Sequence, residues 1–347
     1  MINIMANDLN SILESPSNYH QMRSAFQYIK NNQINREKWD DCISKSCNSR
    51  VYGLSWYLDI VCENWDGIIF GDYEAVFPVI FSRKMFFIKT SYHPLFCQQL
   101  GLFFKSGGIA DKLTSKLSDY NFIWMFHATI LPTYFKRYIY HATHEFSTLL
   151  KGWSGFHSMF NTRTIWMSNL TLKLGDPYNV LRNKYNTNTI RNLKKSSNFN
   201  LKIKELEVDI FMDLYKKNKN IRRSIQKFYP FKNHNYLIIK KLISTCLKKK
   251  RGRLIGVFNQ EKCLVSAAFF LSCFKRKIML FNVTKPNCKE YHAMTFLIDN
   301  FIKSNCEQNL ILDFEGSNIE GVRKFYKGFG SYDACYTRIS PMHVRLI

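Results

Sequence analysis

The stretch that most limits what this chain can fold into is Leu312-Asp313-Phe314-Glu315-Gly316-Ser317-Asn318-Ile319-Glu320-Gly321-Val322-Arg323-Lys324-Phe325-Tyr326-Lys327-Gly328-Phe329-Gly330. An apolar run from Asn309 to Phe314 ends on two carboxylates, a glycine and a serine. Ile319, Val322, Tyr326 and Phe329 then recur at helical spacing. Ser317 and Glu320 stand at capping-box spacing, in which a serine oxygen and a glutamate satisfy orphan N–H groups of the first turn. Gly328 or Gly330 supplies a left-handed stop. The pattern predicts a strand, a tight turn and a short helix, with acids at the carboxyl end of the strand, where open α/β sheets bind ligands. A capped β–α junction with no chemistry fits the local pattern equally well.

Asp313 and Glu315 alternate along the predicted strand, so both are expected on one face. A carboxylate there can take a proton from an attacking amine, directly or through water. The competing roles are structural: capping the next helix, or pairing with Arg323. His292, at the start of the preceding helix, is a weaker base.

The flanking pattern is a long alternation of elements. Met1 to Arg36 is polar, with a weak helical pattern from Met22 to Ile29. Helices follow at 39–46 and 54–62, then a hairpin of Trp65–Phe70 and Ala75–Phe81. Further strands are predicted at Met85–Thr90, Phe122–His127, Phe146–Leu150 and Thr164–Met167, with a helix at Ala110–Leu117. The second half reads as strand 170–174, a basic helix 177–196, strand 201–206, helices 210–219 and 234–249, and three strands between 254 and 283. A helix at 291–304 and the opening stretch come next, and Gly330–Ile339 closes the sheet. The first half is a degraded copy of this order.

The formal net charge is +24 over 347 residues. Between Arg182 and Arg253 there are 21 Lys and Arg against four acids, a local excess of 17. Such a field attracts nucleic acid, nucleotide-bearing substrates or anionic lipid. A drift of composition towards Asn, Ile, Lys, Phe and Tyr is the bland alternative, and it explains Lys in place of Arg better than it explains the shortage of acids. The ten cysteines form no C-x-x-C pair and read as reduced, mostly core residues. No window is apolar enough to cross a membrane, and the start lacks a signal-peptide pattern, so a cytoplasmic protein is expected. Gly152-Trp153-Ser154-Gly155 falls one residue short of a nucleophile elbow, and His141, His144 and Glu145 do not make a zinc motif.

Four segments carry a family resemblance: Val51–Asp59, Trp65–Pro78, Gln98-Gln99-Leu100-Gly101, and above all Asp313-Phe314-Glu315-Gly316-Ser317 with Gly321-Val322 and Phe325-Tyr326. With the element order, they resemble the tandem-domain branch of the GNAT acyltransferase superfamily, which includes the Fem-type peptidyltransferases. The resemblance runs roughly from Trp39 to Ile339. It implies an α/β (α+β) fold of two GNAT-like domains, each a mixed central sheet flanked by helices, at 37–168 and 169–347 after a polar extension at 1–36. It also implies transfer of an acyl or aminoacyl group to an amine of an anionic small molecule or cell-wall precursor. The donor would be acyl-CoA or aminoacyl-tRNA, with tRNA a possible partner and no metal.

Within that frame Asp313 and Glu315 are the catalytic candidates. Lys285, Lys289 and Tyr291, on a strand-to-helix loop, are donor- or phosphate-binding candidates, as are Arg191 and Lys195 on the basic helix. Gln98 and Gln99 are acceptor-binding candidates, with core or turn roles equally open. Two departures matter. The 284–291 loop has no glycine where most GNAT proteins are glycine-rich, and 210–250 offers only short helices where tRNA-dependent Fem enzymes carry a long arm. A non-catalytic binding protein that kept the fold is the third reading.

Overall fold

The computed structural model describes residues 25–81, 92–105, 140–142, 162–218 and 233–341. The chain packs as two compact units, Met1–Met167 with Tyr336–Ile347, and Ser168–Cys335. The strands expected at 85–90, 122–127 and 146–150 and the helix at 110–117 lie outside the described residues.

The first unit holds a four-stranded antiparallel sheet, β1 (Phe26–Ile29), β2 (Trp65–Phe70), β3 (Ala75–Ile80) and β4 (Phe103–Phe104), in that order. The helical pattern expected over Met22–Ile29 is thus corrected: its last four residues are a strand. Phe26 is buried opposite Phe70, with the rings 4.9 Å apart, and this cross-strand aromatic pair outweighs a weak local propensity. Helices α1 (Arg36–Lys45) and α2 (Ser55–Val61) belong to the same unit. The Asn35 side chain caps α1 by accepting from the Lys38 N–H, and buried Trp39 donates its indole N–H to the Gly53 carbonyl at 2.9 Å. A second sheet joins β5 (Tyr140–His141), β6 (Thr162–Met167) and the last strand of the chain, Tyr336–Pro341.

That last strand is a second correction. It was expected to close the second half's sheet, yet it pairs with β6 along its whole length, from Tyr336↔Met167 to Pro341↔Thr162. Only Tyr332 and Asp333 stay with the second unit, after which the Ala334 N–H bonds the Asn169 carbonyl. Pairing partner is a long-range property that a strand's own alternation does not encode.

The second unit is built on a seven-stranded sheet. In chain order its strands are β7 (Leu170–Lys173), β8 (Lys202–Glu205), β9 (Gly252–Phe258), β10 (Leu264–Cys273), β11 (Arg276–Thr284), β12 (Ile311–Asp313) and β13 (Tyr332–Asp333). In space they run β13-β7-β12-β11-β10-β9-β8, and only the β11–β12 pair is parallel. Its helices are α3 (Tyr178–Asn183), α4 (Thr187–Ser196), α5 (Val208–Lys217), α6 (Asn233–Lys248), α7 (Ala293–Asn305) and α8 (Glu320–Lys327). Leu170, Leu312, Phe314 and Phe329 lie in its core, where Phe270 stacks on Phe301 at 3.7 Å.

The expected basic helix 177–196 is two helices. Asn186 breaks it by taking an extended conformation and accepting from the Thr189 N–H as the cap of α4. The same Asn186 donates its backbone N–H to the Gly328 carbonyl, and a Cβ on Gly328 would lie 2.3 Å from the Thr189 hydroxyl. Only glycine permits that approach.

The capping box is not formed. β12 ends at Asp313, Glu315 (φ 48) and Gly316 (φ 58) are both left-handed, and α8 begins at Glu320 with no side-chain cap. The double left-handed turn carries Ser317 into the interior, where it is 0% exposed. Its hydroxyl accepts from the Leu170 N–H at 3.0 Å and donates to the Glu315 carbonyl at 3.1 Å. Ser317→Ala therefore leaves the buried Leu170 N–H without its acceptor and is expected to cost about 1–3 kcal/mol. Glu320→Ala, at an exposed site, is expected to stay within about 0.5 kcal/mol. Urea unfolding of both checks this, and equal losses would restore the capping box.

Candidate functional site

The site follows from a mismatch of strand lengths. β11 pairs with β12 only from Arg276↔Ile311 to Ile278↔Asp313, whereas its pairing with β10 continues to Thr284. Leu280 is passed over in that register, since Phe270 faces Met279 and Phe269 faces Phe281. A bulge of this kind bends the strand and raises its twist. Beyond Ile278 and Asp313 the two parallel strands are no longer paired in the ladder, at their carboxyl ends. This is the position where ligands bind in α/β sheets.

Asp313 closes the paired segment. Its carboxylate is 2% exposed, 3.1 Å from the Arg276 guanidinium, and accepts from the Asn169 amide at 3.3 Å and the Glu315 N–H at 3.2 Å. Glu315 lies past the strand, half-buried, in the left-handed turn. The single strand face expected to carry both acids does not exist, because the strand ends between them. The expected Arg323 partner also differs: Arg323 pairs with Asp333 at 2.8 Å.

A residue that sequence reading passed over stands at the opening. Tyr326 on α8 is buried, stacks on Phe314 at 4.8 Å, and accepts a hydrogen bond from the Asn282 amide on the diverging part of β11. Burial, and after it the Glu315 carboxylate, push its phenol pKa up, with the Asn282 hydrogen bond working the other way. The phenol stays protonated at neutral pH. Its helical spacing marked it as core, and nothing local marked its hydroxyl as facing the opening.

The loop after β11 leads into α7. Its Lys285 N–H bonds the Val265 carbonyl, and Lys285 and Lys289 are exposed. Tyr291 packs edge-on against Phe199 at 4.8 Å, with its hydroxyl 3.4 Å from the Asn259 amide. His292 (φ 47) is the N-cap of α7 and makes no side-chain cap, so its imidazole does not occupy the first-turn N–H groups. Burial, then Lys195 and Arg191, lower the His292 pKa, while Glu290 opposes them. The helix that carries these two exposed cations, α4, packs against α7. Lys285, Lys289 and Tyr291 lie on the loop that leads into α7, and Arg191 and Lys195 lie on α4, which packs against it; a helix N-terminus favours an anion through its dipole and backbone N–H groups.

Gln98 and Gln99 belong to the first unit and are buried. The Gln99 amide donates to Gln98 at 2.8 Å, and the Gln99 oxygen accepts from Arg50 at 3.1 Å. This is an interior polar chain and lies in a different unit from the β11–β12 opening.

No protein-family model matches the chain, and no curated protein matches it. Solved structures do. FemX is similar over 88% of this chain and 96% of its own, with a TM-score of 0.59 and 9% identity. A conserved protein of unknown function from Bacteroides thetaiotaomicron is similar over 88% of this chain and 97% of its own, at TM-score 0.53 and 9% identity. A tandem GNAT protein from the clavulanic acid biosynthesis pathway reaches a TM-score of 0.49 over 92% of this chain and 99% of its own, again at 9% identity. The mixed α/β architecture expected from the sequence is therefore the one observed, and its fold is similar to that of FemX.

The cation cluster yields a pH prediction. In an NMR titration the His292 midpoint should fall below the ordinary histidine value of about 6.5, and it should rise when Lys195 and Arg191 are both replaced by glutamine. An unmoved midpoint would separate α4 from the α7 N-terminus.

Proposed function

We propose that the second unit is an acyltransferase site of the GNAT/Fem type, moving an acyl or aminoacyl group to an amine of an anionic acceptor. The observation that carries this reading is the opening between β11 and β12 beside the N-terminus of α7. It would offer an extended acyl donor the side of β11 that β12 leaves after Ile278, with the loop cations and the α7 N-terminus for its phosphates. The absence of glycine from the 284–291 loop narrows the fit. Its lysines and the helix N-terminus, rather than a glycine nest, would hold the donor's phosphates.

The roles divide as follows. The amine nitrogen attacks the donor carbonyl, a C–N bond forms, and the C–S bond of a thioester or C–O bond of an ester breaks. Glu315, half-buried at the opening, takes the amine proton directly or through water. The protonated Tyr326 phenol supplies a proton to the leaving sulfur or oxygen. Asp313 has a structural role, since its carboxylate is held by Arg276, Asn169 and the turn backbone. Lys285, Lys289, Arg191 and Lys195 bind donor phosphate, and Tyr291 positions the loop.

Calorimetry with several acyl-CoA donors should give saturable heat that weakens on double replacement of Lys285 and Lys289 by alanine. If instead the donor is aminoacyl-tRNA, a gel shift that dissolves as salt rises replaces that heat. The absence of both signals would sink the reading. With a donor in hand, Glu315→Gln should lower kcat about 100-fold or more with stability intact. Arg276→Met should cost about 3–5 kcal/mol by leaving Asp313 buried and unpaired. A Glu315→Gln variant of full activity would remove the base from the mechanism.

A further inference from the structure

The opposite end of the same sheet carries a second feature that acyl transfer does not use. β10 and β11 are joined by a two-residue turn, Phe274-Lys275, closed by the Cys273↔Arg276 pair. Phe274 has φ 53 and is 39% exposed. A turn position with positive φ ordinarily takes glycine, asparagine or aspartate, and a bulky ring there is strained. A strained, solvent-facing aromatic at a loop tip points to a function.

Cations surround it. α6 ends in Lys248, and Lys249, Lys250 and Arg251 lead into β9, whose start lies beside the end of β10. The Ser272 N–H bonds the Arg251 carbonyl at 2.7 Å, and the Arg251 guanidinium reaches the Cys273 sulfur at 3.9 Å. Lys248, Lys249, Lys250, Arg251, Arg253 and Lys275 are all exposed. Among the described residues, the acids on the segments meeting here are Glu205, 3.9 Å from Arg253, Glu307, and Asp176, which pairs with Lys184. The balance is strongly positive.

We propose that this end of the second unit docks on a bilayer surface carrying anionic lipid, with the Phe274 side chain entering the interface and the surrounding lysines and arginines held by lipid phosphates. An aromatic tip ringed by cations is the arrangement that interfacial binding rewards: apolar insertion adds to about 1 kcal/mol per basic residue at an anionic surface. A nucleic acid is the less favoured occupant. Single strands are held on successive stacking platforms, and here one ring projects from the turn. The nine residues of β11 also set this end about 25–30 Å from the loop that leads into α7. Docking here leaves that opening clear, and the inference does not depend on the acyltransferase reading.

The test is co-sedimentation of the full chain with vesicles of phosphatidylcholine alone or with about 30 mol % phosphatidylglycerol, at about 0.1 M salt. Binding should be at least about tenfold tighter to the anionic vesicles. Phe274→Gly should lower it about tenfold or more, as expected for a lost apolar insertion. The same variant relieves the turn, so its Tm should equal or exceed that of the parent, which removes misfolding as an explanation. Triple replacement of Lys249, Lys250 and Arg251 by glutamine should lower binding about 100-fold, near fivefold per charge. Equal binding to both vesicles, or anionic binding untouched by Phe274→Gly, overturns the proposal. So does RNA retention that falls in the triple variant with no vesicle binding, which makes the patch a nucleic-acid surface.

Discussion

The second unit depends on one constraint: β12 stops after three residues of parallel pairing while β11 continues. Backbone N–H and C=O groups are obligatory hydrogen-bonding groups, so the edge that β11 presents after Ile278 has to be met by water, side chains or a ligand. The Arg276–Asp313 pair fixes where the separation begins, because a buried carboxylate held by a guanidinium and two N–H donors cannot slide by a residue without losing them. The left-handed pair Glu315-Gly316 then turns the chain sharply, and Ser317 ties that turn back to β7. Tyr326 and Glu315 reach the opening as consequences of this geometry. Neither would stand there if the strand ran two residues further.

Much of this was legible in the sequence at the level of elements. The strands of the second unit, its two longer helices and the β–α turn at 312–330 follow from period and turn chemistry. What local pattern could not supply was partnership. Phe26 to Ile29 reads weakly helical until Phe70 is placed across from Phe26. Tyr336 to Pro341 alternates like any strand and gives no sign that its partner is β6. Ser317 and Glu320 have capping-box spacing, yet two residues of positive φ rotate the serine away from the helix. In each case a contact distant in sequence overrode a near one.

The candidate site shows the same division. Lys285, Lys289 and Tyr291 follow from loop position and Arg191 and Lys195 from charge, and the fold packs the helix that carries the second pair against α7. Asp313 and Glu315 were named as equals and differ sharply: one is an interior ion-pair partner, the other a half-buried acid at the opening. Tyr326 reads from the sequence as an apolar helix position and as part of the motif that carries the resemblance, because periodicity reports where a ring packs and is silent on its hydroxyl. Gln98 and Gln99 form an interior chain with Arg50 in the other unit.

The charge also acquires a shape. One set of cations surrounds a helix N-terminus beside the opening, and another surrounds the Phe274 turn at the far end of the sheet. A single net value does not say where the cations lie, and the structure puts one set on α4 and the loop before α7 and another at the end of α6 and the start of β9. The central claim, that the parting of β11 and β12 is where a donor lies, is tested most directly by photo-crosslinking with a thioester or aminoacyl-ester analogue, followed by mass mapping of the labelled peptides. The account predicts label within 279–292 and 313–326, suppressed by excess unlabelled donor. Specific label confined to the first unit, or label that excess donor does not suppress, would contradict it.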